Sequence, residues 1–258
     1  MYVAVIISAV IRKTWNKVSV YLYYTGRPKR INPISYLRDK YEIACLDKIA
    51  TIYPKLYTTI QHMSDRSRSM GCEYGDYLQI YEHIRNNKPS CVLECGSGIS
   101  SAVIALALKE NFSETDKKSD FVSLEENVAF VENVKAILPK SLNEYVTFVH
   151  SERTTSDYNG YLGCHYKSVP PKPYDFIFID GPSFRRKPGE KKGFNSDLIN
   201  LLINSQTDNN IDGIIDQRIG TLRMFKKLIP KAEIKYNVIQ KLGRIHSAHR
   251  NNLIEELK

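Results

Sequence analysis

Cys91-Val92-Leu93-Glu94-Cys95-Gly96-Ser97-Gly98-Ile99-Ser100-Ser101 is the stretch whose reading decides the fold. Cys91 to Leu93 is a short apolar run suited to a buried strand, and the helical pattern ahead of it stops before Pro89. The run ends on an acid and two glycines, and apolar residues then recur at helical spacing from Ala102 to Leu108. The unit is strand, glycine turn, helix.

Upstream, apolar positions recur at threes and fours from Ser35 to His62, interrupted near Pro54, and again from Tyr77 to Ile84. Downstream, a polar insertion, Lys109 to Asp120, leads to a strand over 121–124 that ends on Glu125-Glu126-Asn127, followed by a helix over 128–138. A third strand is read at 145–149. Residues 151–173, with three prolines and several tyrosines, are expected to cover the core rather than join it. Tyr174 to Asp180 is the clearest strand. It is followed by a helix over 198–203, a strand over 211–215 ending on Asp216, a helix over 221–228 and a strand candidate over 233–239. Such alternation predicts an α/β fold: a doubly wound, mostly parallel, Rossmann-like sheet with helices on both faces. The expected division is an N-terminal helical extension over 1–69 and one domain over 70–258.

The chain has 258 residues, 42% hydrophobic and 25% charged, with a net charge of +9. Plentiful apolar and aromatic residues exclude a disordered chain, and glycines without period exclude a collagen-like one. Divided by position, residues 1–40 carry +7, 41–184 carry −5 and 185–258 carry +7. An acidic middle with basic ends is not the uniformly basic coat of a nucleic-acid binder, and it favours an anionic small substrate or a membrane surface. Cys45, Cys72, Cys91, Cys95 and Cys164 are odd in number and without repeated spacing, which reads as reduced thiols of a cytoplasmic protein rather than disulfides or metal ligands. Met1 to Ile11 is apolar apart from Ser8 and is followed by Arg12, Lys13 and Lys17. As a helix it would reach about 16 Å, half of a hydrocarbon core, so it cannot span one. It is read as a packed segment or, with Trp15, as a peripheral membrane contact through residues 1–17.

In an open α/β sheet ligands bind outside the carboxyl ends of the strands, where Glu94, Glu125, Ser151 or Glu152, Asp180 and Asp216 should converge. The glycines allow close backbone approach, and the helix behind them directs free amides at a ligand. An acid directly before the turn argues against a pyrophosphate. A dinucleotide fingerprint would also need a third glycine where Ser101 stands. An amine, a carboxylate and a ribose together describe S-adenosylmethionine better than a dinucleotide.

Glu94-Cys95-Gly96-Ser97-Gly98-Ile99-Ser100-Ser101, the strand-end Glu125 and Phe178-Ile179-Asp180-Gly181-Pro182 together resemble the class I S-adenosylmethionine-dependent methyltransferases, in the branch that writes these motifs ExGSGxST and FIDGP. The resemblance covers about residues 70–240. It implies that Glu94 and the turn Gly96, Ser97, Gly98 line the methionine end, that Glu125 or its neighbour Glu126 holds the ribose, and that Ser151 and Glu152 lie near the adenine. Gly71 to Tyr74 resembles a segment that closes over the cofactor. The 31 residues from Glu94 to Glu125 exceed the roughly 20 of a compact unit, the excess falling on the Lys109–Asp120 insertion.

Methyl transfer needs an aligned and, for a hydroxyl, deprotonated nucleophile, and Asp180 is the candidate for that role. The more distant resemblance to catechol-type enzymes would place Mg²⁺ at Asp180 and Asp216-Gln217. Gln stands there for the expected Asn, and no metal is assigned. Arg185 and Arg186, in the basic stretch after Pro182, are candidates for an anionic part of the substrate. The leading expectation is O-methylation of a small-molecule or glycan acceptor. The alternatives are an RNA methyltransferase and a non-catalytic S-adenosylmethionine-binding module at a membrane surface.

Overall fold

A computed structural model describes residues 33–67, 71–182, 193–204 and 209–257. The N-terminal run over 1–17 and the Arg185-Arg186 pair lie outside the described residues. The chain opens with helices α1 (Pro33–Ile52), α2 (Pro54–Ser64) and α3 (Tyr74–Asn87). Pro54 separates the first two by beginning the second, where a missing N–H costs nothing. Asp76 closes α3's first turn by accepting from the Glu73 N–H at 2.9 Å.

The motif unit folds as read, with β1 (Cys91–Cys95), the glycine turn and α4 (Ile99–Thr115). Much of the Lys109–Asp120 insertion is the last two turns of α4, a 17-residue helix. Then follow β2 (Asp120–Glu125), α5 (Val128–Ile137), a short 3₁₀ turn over Lys140–Tyr145 and β3 (Thr147–His150). Residues 151–173 hold a hairpin that the sequence reading missed, β4 (Arg153–Tyr158) and β5 (Tyr161–Tyr166). Asn159 and Gly160 form its two-residue turn with φ of 53° and 79°, the geometry that an Asn-Gly pair signals.

The remaining elements are β6 (Phe176–Ile179), β7 (Phe194–Asn195), α6 (Asp197–Asn204), β8 (Ile211–Asp216), α7 (Ile219–Leu228), β9 (Glu233–Asn237) and β10 (Leu242–Ala248). Seven strands form the main sheet in the order β3-β2-β1-β6-β8-β10-β9, and β4, β5 and β7 form a second sheet. Within the main sheet only β10 runs antiparallel, to both β8 and β9. This strand was absent from the sequence reading because Gly243, Arg244, His246 and Ser247 dilute its apolar signal. Its place is set by packing: a Cβ on Gly243 would sit 2.3 Å from Leu222, so α7 lies directly on it. The inserted antiparallel strand also departs from the dinucleotide order 3-2-1-4-5-6.

Side chains alternate across the sheet and feed two cores. Val92, Phe176 and Phe178 join Ile49, Leu56, Ile60 and the alanines of α4 on one face. Leu93, Ile177 and Ile179 join Leu198, Leu202, Leu222 and Phe225 on the other. The fold is thus α/β with a mostly parallel sheet covered on both faces, and α1 and α2 share a core with α3 and α4. Among the described residues, no helix is long and apolar enough to cross a membrane.

Candidate active site

The chain leaves β1 toward β2 and β3 on one side and reaches β6 and β8 on the other. The strand order therefore reverses between β1 and β6, where a doubly wound sheet opens a crevice at its carboxyl edge. Two backbone turns line that edge back to back. Gly96 has φ of 102°, and a Cβ on it would stand 2.9 Å from the Gly181 nitrogen. Only glycine lets the turn after β1 approach the turn after β6 this closely.

Glu94 lies behind the turn, not on its open face. It is 0% exposed, and its carboxylate accepts from Ser100 Oγ at 2.6 Å and from Ser101 Oγ and Ser123 Oγ at 2.5 Å each. Ser123 Oγ also lies 2.7 Å from Ser97 Oγ, and Ser101 Oγ accepts from the Gly98 N–H at 3.0 Å. The acid therefore ties strand, turn and helix start together. Serines at these positions were the signal, but their convergence on one carboxylate is a matter of packing.

Burial pushes Glu94 up to about 7 against the opposing pull of the three hydroxyls. A carboxyl raised in the fold stabilises most below its unfolded pKa, and that contribution is lost as pH rises through about 7. Asp76, Asp197 and Asp216, at about 8, 7 and 7, act in the same direction. Unfolding free energy by urea titration should accordingly fall between pH 5 and 8, and Glu94→Gln should flatten that fall. An unchanged slope in the variant would show Glu94 ionised throughout.

Glu125 ends β2 on the crevice side. Its Oε2 accepts from the Ser97 N–H at 3.2 Å and its Oε1 from the Asn127 N–H at 2.9 Å, leaving further lone pairs for a ligand. Glu126 turns instead toward Arg153, 3.6 Å away. Of the two neighbouring acids, Glu125 is the one that addresses the glycine turn. Ser151, at the end of β3, is buried, and its Oγ accepts from the Ser168 N–H at 2.8 Å. Glu152 beside it is exposed on the rim.

Asp180 ends β6 and is held from two sides. Cys72 Sγ donates to its Oδ2 at 3.6 Å, and Arg218 Nη2 donates to its backbone carbonyl and reaches its Oδ1 at 3.4 Å. Arg218 Nη1 also donates to Asn195 Oδ1 at 3.2 Å, and Asn195 Nδ2 donates to the carbonyls of Gly181 and Pro182 at 2.9 Å each. Arg218 and Asn195 thus clamp the loop after β6, and neither was singled out from sequence. Burial raises Asp180, with Arg218 and the Cys72 thiol opposing.

Asp216 ends β8 and lies close to Cys72 and Asp76. The sequence pairing of Asp180 with Asp216-Gln217 does not fit Mg²⁺ here. Arg218, 3.4 Å from Asp180 Oδ1, already supplies the counter-charge a metal would provide, while the Asp180 side chain stays 38% exposed toward the crevice.

No family model matches this chain, and no curated protein matches it. Among solved structures, a methyltransferase from Geobacter sulfurreducens is 14% identical, covering 90% of this chain and 96% of that one, with a TM-score of 0.46. A methyltransferase from Podospora anserina bound to SAH is 14% identical over 91% and 95% of the two chains, with a TM-score of 0.44. An O-methyltransferase from Streptomyces achromogenes involved in tomaymycin synthesis, in complex with SAM, is 12% identical over 75% and 89%, with a TM-score of 0.44.

Proposed function

We propose that this protein is an S-adenosylmethionine-dependent methyltransferase that methylates a hydroxyl of a small-molecule or glycan acceptor. The observation that carries the reading is the rim at the sheet's reversal point, where a Cβ-intolerant glycine turn stands between Glu125 and Asp180. A rim of carboxylates suits a cationic ligand with a ribose and disfavours a pyrophosphate or a nucleic-acid backbone. S-adenosylmethionine would bring a methyl group activated on a sulfonium.

In this reading Glu125 accepts hydrogen bonds from the ribose hydroxyls through the lone pairs its backbone donors leave free. Gly96, Ser97 and Gly98 let the backbone approach the methionine end, with Glu94 holding that turn from behind. Ser151 and Glu152 border the adenine side. Asp180, raised by burial, orients the acceptor hydroxyl and takes its proton as the nucleophile forms. Arg185 and Arg186, next along the chain, meet an anionic group of the acceptor.

Thermal denaturation with S-adenosylmethionine or S-adenosylhomocysteine tests the cofactor assignment. At about 100 times its dissociation constant a ligand stabilises by roughly 2.7 kcal/mol, and the midpoint should rise accordingly. Glu125→Ala should lose most of that shift, measured from its own ligand-free midpoint, which the loss of the acceptor for the Ser97 and Asn127 N–H groups lowers. No shift for the wild type, or an equal shift for Glu125→Ala, would remove the basis of the reading. Cofactor binding without turnover on any hydroxyl acceptor would reduce it to a binding module.

A further inference from the structure

The crevice contains a second group of side chains that the proposed transfer does not use. Cys72 precedes α3, Asp76 lies in its first turn, and Asp216 ends β8. One ligand atom from each lies within 4.8 Å of the others. Asp76 is 1% exposed and Asp216 8%, and Asp216 Oδ1 is buried with no hydrogen-bond partner. Two carboxylates and a thiol at this distance repel one another when ionised, so a cation among them would favour all three.

The neighbouring cations are committed elsewhere. Arg218 holds Asp180 and Asn195, and Lys241 Nζ meets Glu73 at 2.9 Å. Arg218 Nε is itself buried and unpartnered, so it does not satisfy Asp216 Oδ1. The cluster places three ligand-type atoms together around an orphaned buried acceptor, an arrangement that a cation inserted among them would satisfy.

We propose that Cys72, Asp76 and Asp216 form a divalent transition-metal site, with zinc the metal its donors select. One sulfur and two carboxylate oxygens provide three protein ligands with a fourth position left open, a pattern zinc accepts. A thiolate is a soft ligand that Mg²⁺ and Ca²⁺ avoid, so the sulfur decides among metals. On binding, the Cys72 thiol gives up its hydrogen bond to Asp180, its proton passes to solvent, and the sulfur coordinates as thiolate.

Cobalt(II) is the probe, added to chelator-treated full-length protein without S-adenosylmethionine, so the result does not depend on the methyltransferase reading. Cys72 is the only cysteine that is not buried, which assigns any thiolate-to-cobalt charge-transfer band. The wild type should show that band at one equivalent, with zinc displacing the cobalt and Mg²⁺ failing to do so. Cys72→Ser should lose the band, and Asp216→Asn should weaken zinc binding by at least about a hundredfold, more than the loss of an outer-shell partner costs. Circular dichroism should show both variants folded. Absence of the band in the wild type, a band retained in Cys72→Ser, or unchanged zinc affinity in folded Asp216→Asn would each overturn the site.

Discussion

Gly96→Ala should be strongly damaging, because among the described glycines it combines a positive φ with backbone atoms in the way of a Cβ. Alanine would have to hold φ near 102°, a conformation that costs a residue with a side chain about 1–3 kcal/mol. Its Cβ would also stand 2.9 Å from the Gly181 nitrogen and 3.1 Å from the Asp180 carbonyl carbon, atoms of a main chain that cannot rotate aside. The expected loss is at least about 3 kcal/mol in urea unfolding, together with loss of the midpoint shift produced by S-adenosylhomocysteine. Gly181→Ala meets the same contact from the other side, with a Cβ 2.9 Å from Gly96 Cα. The two changes should be strongly non-additive, because either one already forces the turns apart. A Gly96→Ala protein of wild-type stability would mean that the two turns do not touch.

Arg218→Met should have the next largest effect. It removes the charged donors to the Asp180 carbonyl and carboxylate and to Asn195, leaving a partly buried acid without its counter-charge. Hydrogen bonds to charged groups contribute about 1.5–3 kcal/mol each when buried. The pair is partly exposed, so the total expected here is roughly 2–3 kcal/mol, or about 5–10 °C in the midpoint. Arg218→Lys should recover the charge but not the forked contact to two partners, and so only part of the stability. Asn195→Ala should be coupled to Arg218→Met in a double-mutant cycle, since both act on the loop Asp180-Gly181-Pro182. Unfolding indistinguishable from wild type in Arg218→Met would show the clamp to be inconsequential.

Legibility in the sequence followed the range of the signal. Tyr174 to Asp180 reads as a strand because Phe176 to Ile179 is apolar on both faces, which a central parallel strand requires. The glycine turn and the acids after β1, β2 and β6 could be placed on one edge because strand direction in a doubly wound sheet fixes which ends meet. The β4–β5 hairpin was missed despite its Asn159-Gly160 turn, because Thr154, Thr155 and Ser156 carry no apolar alternation. β10 was missed because its partners on either side, not its own composition, bury it.

The choice between Glu125 and Glu126 could not be read from adjacency. It rests on Ser97, 28 residues earlier, donating to the first, and on Arg153 facing the second. Cys72 and Arg218 are likewise 108 and 38 residues from Asp180 in the chain and were invisible as its partners. Residue type and spacing alone determined that this chain would build strand, glycine turn and helix, and that acids would gather at one edge of a parallel sheet. Those are consequences of backbone geometry and of periodicity within a few residues. Which acid faces the crevice, which one is sealed behind serines and which basic side chain neutralises Asp180 were decided only by tertiary packing. Each depends on the burial and hydrogen-bond partner of one side chain, and both are set by residues distant in the chain.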